Sequence, residues 1–261
     1  MAKRKTKNKL LSVVVPSYKE GKTIKDDLQI LIKTLRIGLP DTYDFEVVCV
    51  EDGQFDDTTS EVAKLKAPEL TFITYKENRG KGYAVRLGMS KAKGDLISFM
   101  DAGRDIKEKG IMMLLAHMDW YDADIIVGSK RHPASKLDYP LLRRILSVGY
   151  SFGIKILFGL SLTDTQSGIK IFKKEVVKKI LPKLTIDRFA MDIEMLALAH
   201  HLGFTRIYEA PIELNFNMGE SRVQFFPITN PNSPVRMAMD TLNVFYKLKI
   251  IKSYDTKKSS I

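Results

Sequence analysis

Cysteine is almost missing from this 261-residue chain, Cys49 being the only one. An internal disulfide is therefore excluded. A lone thiol inside the apolar run Val47-Val48-Cys49-Val50 reads as core packing, and such cysteine usage fits a reducing compartment. Long hydrophobic runs are scarce as well. The stretch 145–162 comes nearest, with Lys155 its one charge, but it carries Gly149, Gly153, Gly159 and three serines. It stands at the lower limit of what a bilayer crossing needs. The basic arm at residues 1–10 lacks the apolar stretch of a signal peptide. There is no internal repeat and no low-complexity linker. Acidic residues are the minority: 42 Lys and Arg against 31 Asp and Glu give a net charge of +11. The partner expected is thus an anion, either nucleic acid, a phosphorylated substrate or an anionic membrane surface. The aromatics sit mainly in apolar runs and do not alternate with the cations, which argues against a nucleic-acid stacking platform.

What is present is a repeating alternation. Short apolar runs at 11–16, 45–50, 70–75, 96–100 and 123–127 read as strands, and helical spacing follows most of them, as in Ile24, Leu28, Leu31, Ile32 and Leu35. Strand and helix in alternation imply a mainly parallel α/β sheet flanked by helices. Each strand then delivers polar residues to its carboxyl end: Tyr18 and Glu20, Asp52, Asn78 and Lys81, Asp101 and Asp105, and Lys130 and Arg131. Open α/β sheets bind ligands along that edge, so one shared crevice is expected. Asp52 suits a hydrogen bond to a base edge, and Lys81 suits a diphosphate. Asp101 and Asp105 suit a hard divalent cation, which needs one or two carboxylates besides phosphate oxygens.

The second half changes character. Arg143 and Arg144 introduce the apolar stretch, which has three open readings: an amphipathic helix lying in a membrane interface over 141–160, a buried core helix, or a spanning or re-entrant segment. A polar loop, Thr163 to Gly168, enters another strand. Asp192 and Glu194 fall at the start of a helix, and carboxylates two apart do not share a helix face. One at most is expected to face the crevice. Two short strands are expected around Pro211. A final helix over 235–251, with Lys247, Lys249 and Lys252 near its end, suits a second membrane-surface element in a C-terminal segment 229–261.

Several of these motifs occur together and in order: Pro16-Ser17-Tyr18-Lys19-Glu20, Val50-Glu51-Asp52-Gly53, Asn78-Arg79-Gly80-Lys81-Gly82, Met100-Asp101-Ala102 and Gly128-Ser129-Lys130-Arg131. The series resembles family 2 glycosyltransferases of the GT-A (Rossmann-like) fold. Asp164-Thr165-Gln166-Ser167-Gly168 and Phe189-Ala190-Met191-Asp192-Ile193-Glu194 are most similar to the dolichyl-phosphate glucosyltransferases, with dolichyl-phosphate mannose synthases close behind. The resemblance implies a catalytic domain over 11–228 that inverts while moving glucose or mannose from UDP-glucose or GDP-mannose to a polyprenyl (dolichyl-type) phosphate, with Mg²⁺ or Mn²⁺. It also implies an enzyme held at the cytoplasmic face of a membrane, peripheral or monotopic.

Carried over residue by residue, the resemblance implies nucleotide-sugar contacts at Pro16, Tyr18, Glu20, Val50, Asp52, Lys81, Asp101, Ala102 and Lys130. Ser129, Arg131 and Arg222 are expected at the acceptor phosphate, and Asp101 and Asp192 at the chemistry. The family's Asp-x-Asp has Gly103 in its second place here, so Asp101 and Asp105 are expected to share the metal, with Gly103 leaving room for the sugar or a water. A phosphate acceptor is largely ionised near neutral pH, its second pKa being about 6, and needs no strong base. If the acceptor were a sugar hydroxyl, Asp192 or Glu194 would have to serve as one. A sugar-nucleotide-binding scaffold without activity is the other alternative. The oligomeric state is left open.

Overall fold

In the computed structural model, residues 8–103, 107–135, 141–188, 190–213 and 234–255 are described, with backbone alone for 141–148 and 234–237. The strands are β1 (Lys9–Ser17), β2 (Tyr43–Asp52), β3 (Leu70–Tyr75), β4 (Leu96–Met100), β5 (Ile125–Ser129), β6 (Ile169–Lys173) and β7 (Ile207–Pro211). The α-helices are α1 (Ile24–Gly38), α2 (Thr58–Ala63), α3 (Lys81–Lys91), α4 (Gly110–Tyr121), α5 (Leu141–Phe158), α6 (Lys174–Ile180), α7 (Met191–His201) and α8 (Pro234–Phe245). One seven-stranded sheet runs in the order β3-β2-β1-β4-β6-β5-β7. The expected α/β architecture is found, with one change of direction. β6 is antiparallel to both neighbours, β4 and β5, while every other pair is parallel.

Alternation along the strands produces two apolar layers, because successive side chains leave opposite faces. Val14, Val48, Val50, Ile97, Phe99, Val127 and Phe172 face α3, α6 and α7 on one side. Val13, Val15, Val47, Cys49, Met100, Ile126 and Ile171 face α1 and α4 on the other. Cys49 is wholly buried, and burial pushes its thiol up to about 12, which makes it core rather than nucleophile.

Three boundaries differ from the sequence pattern. The fifth strand begins and ends two residues later than expected, so Gly128 and Ser129 are in it. One strand, not two, is described around Pro211, and residues 214–216 lie outside the described set. The last helix is α-helical only to Phe245 and continues as a π-helical turn, Tyr246–Ile250.

The reading of 145–162 as a membrane-spanning segment is not supported. Among the described residues no helix is long and apolar enough to cross a bilayer. α5 instead buries Ile154 and Phe158, and packs on α8 through the edge-on ring pair Phe158–Phe245 and a 2.8 Å hydrogen bond between Tyr150 and Thr241. Its outer side leaves Phe152 and Ile156 exposed. The neighbouring helix exposes Met239 and Leu242, and the turn after it exposes Tyr246 and Ile250.

Candidate active site

The reversal of β6 builds the site. Strands β1 to β5 all run the same way, so their carboxyl ends share one edge. A reversed strand brings its amino end, and the 163–168 loop before it, to that same edge. Asp101, just past β4, donates its backbone N–H to the Gly168 carbonyl at 2.9 Å. The two groups are so close that a β-carbon on Gly168 would stand 2.6 Å from the Asp101 carboxyl carbon. Gly168 is therefore what lets the Asp101 carboxylate lie where it does.

Lys81, the first residue of α3, stands astride that carboxylate, its Nζ 2.7 Å from Oδ1 and 2.8 Å from Oδ2. Its hydrogen bond goes to Oδ2, and Oδ1 accepts none among the described residues. Burial works against the Lys81 charge, but Asp101 and then Asp192 outweigh it and hold the ammonium above the ordinary lysine value.

Beneath this pair is a second one that is wholly buried. Lys170 on β6 is 0% exposed; it donates to the Ser167 carbonyl at 2.7 Å and to Asp192 Oδ1. Both ammonium groups lie near the Phe99 ring, Lys170 at 5.0 Å and Lys81 at 5.7 Å from its centroid, within cation–π range. For Lys170, burial is the larger influence, so its pKa falls below the usual value despite Asp192. The four groups make a layer of alternating charge under the crevice. Ser167 Oγ, buried alongside, has no hydrogen-bond partner among the described residues.

The start of α7 separates its two carboxylates as helix geometry requires. Asp192 faces Lys170. Glu194, 0% exposed, accepts from Thr185 N at 2.9 Å, Thr185 Oγ1 at 2.8 Å, Ile186 N at 3.0 Å and Tyr254 Oη at 2.6 Å.

At the end of β2, Asp52 is turned inward. It accepts from Tyr75 Oη, Asn78 Nδ2 and the backbone N–H groups of Arg79 and Gly80, all between 2.7 and 3.2 Å. Its carboxylate thus shapes the 78–80 loop, a task the sequence did not suggest. Its neighbour Glu51 is bonded at Oε2 by Thr59 and Thr74, while buried Oε1 has no partner among the described residues. Pro16 and Val50 are paired across β1 and β2 and buried, and Tyr18 is 41% exposed with its ring edge-on to Phe55. Glu20 accepts from Thr23 Oγ1 at 3.3 Å. A β-carbon on Gly103 would stand 3.7 Å from Glu20 Oε1, an ordinary contact. Space therefore does not demand glycine there; its φ of +93° does. An aspartate at 103 would be strained, so the departure from Asp-x-Asp is built into the backbone.

The turn after β5 is held by the 163–164 loop. Ser129 is 0% exposed; its hydroxyl meets Thr163 Oγ1 at 3.1 Å and accepts from Arg131 N at 3.2 Å. Its hydroxyl organises the turn that carries Lys130 and Arg131. Arg131 donates to Ser151 Oγ and the Thr163 carbonyl, and Lys130 N donates to Asp164. Ala102 is partly exposed beside Asp101. The expected Asp105 and Arg222 lie outside the described residues. Lys170, Glu51 and the Gly168 contact were missed. The one available signal was a lysine in the otherwise apolar strand Ile169-Lys170-Ile171-Phe172.

An open sheet with one reversed strand, carrying carboxylates and lysines along a single edge, defines a GT-A-type α/β protein. Residues 12–181 match the Glycosyl transferase family 2 description, and the chain belongs to that family. It is 32% identical over 206 residues to a dolichyl-phosphate beta-glucosyltransferase of Drosophila melanogaster, covering 74% of this chain and 63% of the relative. It is 32% identical over 225 residues to the human protein of that name, covering 80% and 67%. The chain thus spans about two thirds of the length of these curated relatives. Among solved structures, mannosyl-3-phosphoglycerate synthase from Rubrobacter xylanophilus superposes with a TM-score of 0.67 at 16% identity, over 96% of this chain and 77% of that one. Glucosyl-3-phosphoglycerate synthase from Mycobacterium tuberculosis, in complex with Mn²⁺, UDP and phosphoglyceric acid, gives 0.65 at 16% identity, over 97% and 80%.

Removing one member of a buried ion pair leaves an uncompensated charge, whereas replacing both does not. Lys170→Met should destabilise the fold by about 3–5 kcal/mol, read from chemical denaturation. Lys170→Met combined with Asp192→Leu should recover most of that loss.

Proposed function

We propose that the chain transfers a hexose from a nucleotide sugar to a polyprenyl phosphate, with inversion at the sugar carbon. The observation that carries this reading is the state of the two carboxylates that a hydroxyl acceptor would need as base. Asp192 is paired with buried Lys170, and Glu194 is bonded by four donors within the protein. Both are thus engaged inside the protein. A phosphate monoester needs no such help, because it is already an anionic nucleophile near neutral pH. The names of the relatives favour glucose over mannose as the sugar, and the UDP held by the structural neighbour favours UDP-glucose over GDP-mannose.

Tyr18 offers a ring face for the base, and Pro16 and Val50 form the floor beneath it. Glu51 Oε1, the unpartnered acceptor at the end of β2, suits a base N–H better than Asp52, which orders the neighbouring loop. Glu20 suits the sugar side, beside Gly103. Asp101 and Ala102 suit the diphosphate. A divalent ion fits there: Asp101 supplies a partly exposed carboxylate at the strand end, and Mg²⁺ or Mn²⁺ on a diphosphate needs few protein ligands. No group of three or more ligating side chains is found among the described residues, and Asp105 is kept as the proposed second ligand. When bound, such an ion would neutralise charge on the leaving diphosphate. Lys81 and Lys130 place the protein's own cations at the same edge, where they stabilise that charge as the glycosidic bond breaks. Arg131 and Arg222 would hold the acceptor phosphate, since arginine has N–H donors to share between the fold and an anion. Asp192 orients Lys170 and adds negative charge beneath the sugar.

The apolar residues on the outer sides of α5 and α8, with exposed Lys155, Lys249 and Lys252 close in sequence, suit peripheral or monotopic attachment to an anionic membrane surface at the cytoplasmic face. That is where a lipid phosphate would be met.

With labelled UDP-glucose, a polyprenyl phosphate and Mn²⁺, label should enter the lipid-extractable fraction, and Asp101→Asn should lower the rate roughly a hundredfold or more, the scale of one transition-state stabiliser. Transfer only to a sugar hydroxyl would replace the acceptor assignment, and no transfer or donor hydrolysis under any metal would favour a binding scaffold. Phe152→Ser with Leu242→Ser should cut co-sedimentation with phosphatidylserine vesicles several-fold without changing the far-ultraviolet circular dichroism. Unchanged sedimentation would remove these helices from the membrane contact.

A further inference from the structure

The Lys81 loop is held from outside as well as by its own helix. Gly82 N and Tyr83 N, donors at the start of α3, both point at the Asp187 carbonyl, at 2.8 and 3.4 Å. Gly80 has a φ of +100°, and a β-carbon there would run into the same carbonyl. A β-carbon on Gly82 would stand 2.5 Å from the Ile186 carbonyl. Backbone therefore lies directly on backbone. Arg86, one turn further along α3, adds a 3.1 Å hydrogen bond to the Leu184 carbonyl and an ion pair to Asp187. The strap 184–187 and the Lys81 loop form one tied unit.

The strap is in turn hung on Glu194, which receives both Thr185 donors and Ile186 N. The remaining donor to Glu194 comes from far along the chain. Tyr254, 2% exposed, donates its hydroxyl to Oε1 at 2.6 Å. Its backbone carbonyl accepts from Lys183, at the foot of the strap, and Lys247 Nζ reaches Thr185 Oγ1 at 3.2 Å. Burial and the Glu194 charge push the Tyr254 hydroxyl well above its ordinary pKa, so it remains a donor at every physiological pH.

We propose that Tyr254 is a positioning residue of the donor site: through Glu194 and the 184–187 strap it sets the loop that carries Lys81. The donor role of Lys81 rests on the glycosyl-transfer reading, whereas the mechanical link does not. Residues beyond α8, remote in sequence from every motif of the crevice, thereby govern how the diphosphate cation is presented. The link runs through a contiguous set of hydrogen bonds and ends in direct backbone contact between strap and loop, reinforced by Arg86.

The test uses the full chain and Tyr254→Phe, which keeps the buried ring and removes only the hydroxyl. Amide hydrogen exchange at Gly82 and Tyr83 should rise roughly tenfold, the scale of one hydrogen bond to a buried charge. The KM for UDP-glucose should rise several-fold, with the KM for polyprenyl phosphate unchanged. Thr185→Val, which removes a second donor to the same oxygen, should move both readouts in the same direction. Asp255→Asn, which removes the charge of a surface carboxylate paired with His201 and leaves the Tyr254 and Glu194 groups in place, should move neither. Unchanged exchange at Gly82 and Tyr83 would overturn the proposal, as would a uniform rise across α7 and α8 that marks a merely structural residue. Should the unmodified protein not turn over UDP-glucose, the transfer reading fails, and exchange at Gly82 and Tyr83 still decides the role of Tyr254.

Discussion

Lys170 is the constraint around which the site is arranged. An ammonium group with no exposed surface is tolerated only where an opposite charge and hydrogen-bond acceptors meet it. Here the Ser167 carbonyl and Asp192 do so. That requirement fixes three things at once: the reversed strand carrying Lys170, the loop before it, and the first turn of α7. Asp101 and Lys81 are laid over this foundation, with the Phe99 ring shared between the two cations. The crevice floor is thus electrostatic, although the layers on either side are apolar.

The same economy of groups explains which chemistry the edge offers. At a helix start, free backbone N–H groups commonly bind phosphate. In α3 those of Gly82 and Tyr83 are engaged by Asp187, so the helix start is structural, and positive charge reaches the crevice through the Lys81 side chain. Asp52 tells a parallel story, since its carboxylate orders the loop before α3. What this edge has to offer an anion is therefore a small number of cations that are themselves engaged, Lys81 by a carboxylate and Arg131 by a hydroxyl and a carbonyl.

Much of the architecture was legible in the amino-acid pattern. Short apolar runs at β1, β2 and β4, helical spacing in α1, and polar residues after each strand placed Tyr18, Lys81, Asp101 and Lys130 on one edge. Helix geometry also separated Asp192 from Glu194, and the structure sends them to different partners. The internal bonds of Asp52 and Ser129 were not legible, because polar residues at strand ends look alike whether they face solvent or the protein. Lys170 was passed over because a single lysine in an apolar strand carries no mark of its partner, which lies 22 residues further on. Gly103 was recognised as a departure, but its reason, a φ of +93°, belongs to the folded backbone.

The sequence by itself determined the local matters: which segments are strands and helices, which faces are apolar, where polar residues collect, and that the net charge is positive. Those follow from spacing and side-chain type, which act over a few residues. Only the tertiary structure decided the direction of β6, the inward turn of Asp52, the Lys170–Asp192 pair, and the chain of contacts from Tyr254 to the Lys81 loop. Each depends on groups separated by tens or hundreds of residues, and whether a polar atom is free or engaged is settled only when those groups are brought within hydrogen-bonding distance.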